Sequence, residues 1–195
     1  MDIMDIRYFT YPLGILLIFI LAIGLGIFLT RRFKLGWRLW WIGGATFILS
    51  QIGHIPFNAG ATALFANGTL PAPPESWSLA FNTVFLGLSA GMWEEWTRYA
   101  VLRWWAKDAR SWSQGLVWGA GHGGIEAIVL VGGLSILTYV NMIVLRSLDL
   151  SAIVPPDQLE LTRQAVDNYW GAPWYLSLLP AVERVVALIA HMSFA

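Results

Sequence analysis

From Tyr11 to Thr30 the chain reads YPLGILLIFILAIGLGIFLT, a run with no charged side chain. About 20 such residues cross the hydrocarbon core of a bilayer as one α-helix, because a helix satisfies its own backbone groups without water. The run exceeds the apolar core of a signal peptide, and Arg31-Arg32-Phe33-Lys34 follows it in place of a small-residue cleavage site. It reads as a retained first span.

Composition agrees with this stretch. Of the 195 residues 57% are hydrophobic and 12% charged, with a mean hydropathy of +0.60, whereas a soluble domain carries roughly 25% charged residues. The 12 Lys and Arg balance the 12 Asp and Glu, so no net field draws nucleic acid to the chain. The absence of cysteine excludes disulfides, thiolate metal sites and a cysteine nucleophile.

Further apolar regions predict spans at about 37–57, 79–102, 113–145 and 174–195. The fold class is therefore an all-α, polytopic transmembrane bundle of about five spans, forming a single domain over 1–195. Region 113–145, roughly 33 residues, exceeds one span and predicts either a tilted helix or a break near Gly132-Gly133. Basic residues cluster at 31–38 and 103–112, which places those loops in the cytoplasm. The N-terminus and the segments Asn58 to Ser78 and Arg146 to Ala172 then lie outside. Tryptophan prefers the membrane interface. Trp37, Trp40, Trp41, Trp104, Trp105 and Trp112 predict an inner belt, Trp77, Trp170 and Trp174 an outer one, and Trp93, Trp96 and Trp118 read as core.

On this topology Glu94, Glu95, Arg98, Glu126, Glu183 and Arg184 lie inside spans, as do the three histidines His54, His122 and His191. A charge at the bilayer centre costs about 2.5 to 3.5 kcal/mol, so these groups require partners or a function. Glu94 and Arg98 are spaced i,i+4 and Glu95 and Arg98 i,i+3, so Arg98 reaches either carboxylate. His122 and Glu126 are again i,i+4, and Gly115, Gly119 and Gly123 form a small-residue ladder suited to close approach of another helix. Glu94 lies nine residues before Arg103 and His122 twelve after Arg110. At ~1.5 Å per residue both sit roughly 13 to 18 Å above the basic loop, and they can meet. His191 falls in the same inner half and Glu183 nearer mid-membrane. His54, beside Gln51 and Asn58, falls in the outer half and reads as a satisfied polar residue.

Glutamates and histidines converging from three helices suit a divalent metal or a glutamate-activated water. Imidazole and carboxylate bind Zn²⁺, and a carboxylate accepts the proton of the attacking water. The expected metal ligands are Glu94, His122 and His191, with Zn²⁺ the fitting cation. Glu94 is the expected general base, supported by Glu95, Arg98 and Glu126. Such a site would hydrolyse a peptide bond of a peptide or membrane-protein substrate presented within lipid.

The motifs Trp93-Glu94-Glu95-Trp96-Thr97-Arg98, Gly121-His122-Gly123-Gly124-Ile125-Glu126, and Glu183-Arg184 with His191 resemble the YhfC-type membrane peptidases. These are relatives of the CAAX-prenyl-endopeptidase and bacteriocin-processing intramembrane proteases. The resemblance covers about Gly36 to Ala195. It implies a protease of a bacterial plasma membrane in which Glu94 activates water, Glu95 and Arg98 support it, and His122 binds water or metal. The arginine follows the glutamate pair after two residues, where the wider superfamily usually has three. The superfamily's last histidine, with Asn or Asp downstream, has no visible counterpart, because the sequence ends four residues after His191. A C-terminally truncated chain is therefore expected, with His191 or a histidine beyond Ala195 completing the site. Two other readings remain open at this point: a proton-coupled transporter using the acids and histidines as a relay, and a non-catalytic membrane binding or immunity protein on the same scaffold.

Overall fold

The structure, a computed structural model, describes residues 5–195; residues 1–4, which begin the domain and the N-terminus expected outside, lie outside the described residues. Among the described residues every regular element is helical. Helix α1 (Arg7–Arg32) is followed by α2 (Arg38–Ala66) and α3 (Glu75–Ala100), which runs on into a π turn at Val101–Trp105. A long rod comprises α4 (Trp112–Glu126), a π segment (Ala127–Gly133) and α5 (Leu134–Ser147). Short α6 (Leu150–Ile153), α7 (Pro156–Gly171), a 3₁₀ turn (Trp174–Leu178) and α8 (Leu179–Ser193) complete the chain.

Three of these rods are long and apolar enough to cross a membrane, namely Arg7–Arg32, Trp112–Ser147 and Trp174–Ser193. Helices α2 and α3 occupy the second and third expected spans but carry more polar residues. The rod expected over 113–145 is unbroken at Gly132-Gly133; a wider π turn replaces the break. The connections expected on the outer side are more helical than the sequence suggests. Helix α2 continues to Ala66 because Ala59-Gly60-Ala61-Thr62-Ala63-Leu64 contains strong helix formers. It then stops at Gly68, whose φ of +76° suits a residue without Cβ. The segment expected as an outer loop from Arg146 to Ala172 contains α7, whose Val166 and Trp170 are buried.

Close helix contact rests on glycine. A Cβ at Gly43 would collide with the Trp118 carbonyl, and one at Gly121 with the Trp40 carbonyl, so α2 and α4 meet almost backbone to backbone. On the next face of α4, Gly119 and Gly123 lie against His191, as the ladder suggested. Helix α2 packs along α4 and α3, and α8 packs along α4 and α1. The core includes Ile18, Phe47, Val117 and Trp118, while Phe9, Leu88, Trp112 and Val186 are among many large apolar groups left outside. That distribution suits a lipid solvent.

The tryptophan belts need two corrections. Trp40 is 3% exposed and Trp170 4% exposed, so both are core residues: Trp40 packs on the bare backbone of α4, and Trp170 donates its indole N–H to the Met142 carbonyl. Trp96, expected in the core, is 62% exposed, its ring beside that of Trp93, which takes the place over Gly53 of α2.

The start of α1 is tied to the end of α5. Asp5 accepts from Arg7 Nε at 2.7 Å and lies 3.3 Å from Arg146 Nη1. Arg146 also sits over the Trp170 ring at 4.7 Å. The hydrogen bond from Arg7 is the main cause holding the Asp5 carboxyl down at about 2, from an ordinary value of 3.8. Its contribution to stability is therefore complete above about pH 3.8 and disappears as the pH falls through about 2. Thermal unfolding of Asp5→Asn in detergent micelles should show a lower Tm than wild type at pH 7 and a much smaller difference at pH 2. In the same assay Gly121→Ala should cost about 1–3 kcal/mol by overpacking. Gly24→Ala, with open space beside it, should not destabilise.

Candidate metal centre

Helices α3, α4 and α8 each supply part of one polar cluster. On α3, Glu94 and Arg98 share a face one turn apart, and Arg98 is 3% exposed. Glu94 points inward at 19% exposure, whereas its neighbour Glu95 is 56% exposed. On α4, His122 is fully buried, its ring 5.7 Å from Phe47 and 5.9 Å from Trp118 between centroids. On α8, His191 lies over Gly123, and its ring stands 4.8 Å from that of His122.

One ligand atom each from Glu94, His122 and His191 falls within a mutual 4.8 Å. Glu94 Oε2 is 3.5 Å from His122 Nε2. Arg98 Nη2 donates to Glu94 Oε2 at 3.3 Å and to His191 Nδ1 at 2.6 Å. A guanidinium has no acceptor, so His191 Nδ1 must carry the lone pair and Nε2 the proton. Glu126 Oε2 lies 2.6 Å from Nε2 as a charge contact, without the alignment of a hydrogen bond. Glu126 is held in turn by Arg184 Nη1 at 2.8 Å.

A divalent cation fits these residues on two grounds. Both ring nitrogens of His122 are buried without a hydrogen-bond partner among the described residues, although a buried imidazole ordinarily has one. The connected carboxylates Glu94, Glu95, Glu126 and Glu183 outnumber the guanidiniums of Arg98 and Arg184, leaving a formal excess of two negative charges beside neutral imidazoles. The nitrogen and oxygen donors suit Zn²⁺ without restricting the site to it. Ligation by His191 Nδ1 requires the Arg98 guanidinium to move off that atom, and Glu95 Oε1, 3.3 Å from Arg98 Nη1, is the carboxylate beside it.

The structure thus brings together Glu94, Arg98, His122, Glu126 and His191. Glu95 joins them only through Arg98. His54 stands apart in the α2–α3 seam, 2.8 Å from Asn58 Nδ2, 3.2 Å from Gln51 Oε1 and 3.3 Å from Ser89 Oγ. Sequence reasoning missed Phe47, whose only signal was its place on the apolar face of α2. It gave no sign that Arg184, beside Glu183 in sequence, also reaches across to Glu126.

These features define a polytopic helical membrane protein with a Glu-His-His group enclosed by its helices. A model of the YhfC intramembrane metalloprotease family matches residues 17–195, and the chain belongs to that family. The uncharacterized membrane protein YhfC of Bacillus subtilis (strain 168) is 26% identical over 185 residues, covering 91% of this chain and 68% of that protein. No solved structure matches the chain.

Arg98 is the cation on which Glu94 and Glu95 depend. Removing one partner of a buried ion pair strands the other, so Arg98→Met should destabilise the fold by about 3–5 kcal/mol in denaturant unfolding. Glu95→Gln, on the exposed side, should cost much less.

Proposed function

We propose that this protein is an intramembrane endopeptidase that hydrolyses a peptide bond with a water activated by Glu94. The observation carrying this reading is the meeting of Glu94, His122 and His191 from three helices of a largely apolar bundle. The family's name points the same way.

Glu94, His122 and His191 would hold the metal, for which Zn²⁺ is our choice. When bound, such a cation lowers the pKa of a water and polarises a carbonyl. Glu94 takes the proton of the attacking water as its oxygen bonds to the carbonyl carbon. The same carboxyl then returns the proton to the departing nitrogen as the C–N bond breaks, leaving a carboxylate and an amine. Phe47 and Trp118 flank His122 and restrict water around it. The substrate we propose is an apolar peptide segment or a membrane protein reaching the site from lipid. We place the loops at 31–38 and 103–112 on the cytoplasmic side of a bacterial plasma membrane, with the N-terminus outside.

The test is cleavage of transmembrane reporter peptides by the protein in proteoliposomes. Glu94→Gln should reduce the rate by about 10²–10⁴-fold. Chelation should stop cleavage and added Zn²⁺ restore it. Undiminished cleavage by Glu94→Gln would sink the proposal, and loss of pH-dependent proton flux in its place would favour a transporter.

A further inference from the structure

We propose that Arg184 is a positioning residue: acting through Glu126, it orients the His191 imidazole so that its Nδ1 lone pair is presented toward Glu94 and His122. The purpose of that lone pair rests on the metal-dependent reading above; the geometry does not.

Arg184 is buried at 7% exposure and already has a full counter-charge from its own neighbour. Its Nε donates to Glu183 Oε2 and its Nη2 to Glu183 Oε1, both at 2.6 Å, a side-on bidentate pair. Neutralising Arg184 therefore does not require Glu126. The guanidinium nevertheless spends a third donor, Nη1, on Glu126 Oε1 across the α4–α8 boundary. A carboxylate pinned through one oxygen has its other oxygen fixed in direction. Glu126 Oε2 is thereby held 2.6 Å from His191 Nε2, without an aligned hydrogen bond in the structure but near enough to accept the Nε2 proton after a small turn of the ring.

Helix spacing supports the arrangement. Arg184 and His191 lie two turns apart on one face of α8, and His122 and Glu126 one turn apart on one face of α4. The two helices face each other with imidazole opposite imidazole and carboxylate opposite guanidinium. An outer carboxylate that accepts the second N–H of a ligating imidazole fixes its tautomer and raises its basicity, and losing such a partner typically costs 10–100-fold in metal affinity. Arg98 holds Nδ1 in the structure. Once Arg98 moves away, Glu126 is the group that keeps the proton on Nε2.

The sign of one measurement separates positioning from plain electrostatics. Deleting a positive charge near a cation site raises its affinity for cations if charge alone matters; the proposal requires the affinity to fall. Zn²⁺ binding to the purified full chain in detergent, measured by competition with a chromogenic chelator, should weaken about 10–100-fold in both Arg184→Met and Glu126→Gln. The double variant should lose no more than Glu126→Gln alone, since Arg184 acts through that residue. Arg184→Lys should recover part of the loss.

A readout independent of metal and activity comes from ¹⁵N-histidine NMR, which the chain's three histidines keep simple. A sharp, exchange-protected Nε2–H signal from His191 is expected in wild type and Arg184→Lys, and its broadening in Arg184→Met and Glu126→Gln. Unchanged or stronger Zn²⁺ binding by folded Arg184→Met, or an unaltered His191 signal in Glu126→Gln, overturns the proposal. If Arg184→Met does not fold, Glu126→Gln and Arg184→Lys decide it through the same signal. Wild-type protein that binds no Zn²⁺ overturns the ligand role assigned to Nδ1. Zn²⁺ binding that behaves as described with no reporter cleavage would defeat the hydrolase reading alone.

Discussion

An ionised side chain in an apolar bundle is stable only beside a counter-charge or a hydrogen-bond partner, because the low dielectric that strengthens a pair also makes an unpaired charge very costly. Here that requirement joins three helices. Glu95, Glu94 and Arg98 on α3 connect to His191 on α8, and from there to Glu126 on α4 and back to Arg184 and Glu183. The inward-facing members are largely buried, while Glu95 and Glu183 mark the two outer ends at 56% and 54% exposure. Such a network constrains relative helix position more sharply than apolar packing, since each contact must close to hydrogen-bond distance.

Bare helix backbone makes that closure possible. Gly43 and Gly121 bring α2 against α4, and Gly119 and Gly123 bring α8 against α4. Without those approaches the side chains of His122 and His191 would not reach each other. In lipid the hydrophobic effect drives helices together only weakly, so packing and polar contacts carry the association. The separate seam of His54, Gln51, Asn58 and Ser89 joins α2 to α3 in the same way, outside the candidate metal centre.

Much of the candidate site was legible along the chain because helical periodicity is a local property. The i,i+4 spacings of Glu94 with Arg98 and His122 with Glu126 fix shared faces before any packing is known. The rise per residue placed Glu94 and His122 at one depth, and they meet at 3.5 Å. What lay beyond reach involved a choice between helices. Arg184 has an acid next to it in sequence, which hid its second bond to Glu126 on another rod. Trp40 and Trp170 resemble interface tryptophans by position, but one lies against glycine backbone and the other under α5.

Composition and the uncharged run from Tyr11 to Thr30 determined by themselves that this is a helical membrane protein, because an apolar run of that length crosses a bilayer as a helix that satisfies its own backbone groups. Charge spacing determined which side chains share a face. Only the tertiary structure decided which face meets which: that Arg98 rests on His191, that Glu126 lies between His191 and Arg184, and that Glu95 stays at the edge. The reason is physical. Periodicity specifies directions around one helix axis, whereas contacts between helices depend on how closely backbones approach, and glycines set that distance only once their partners are known.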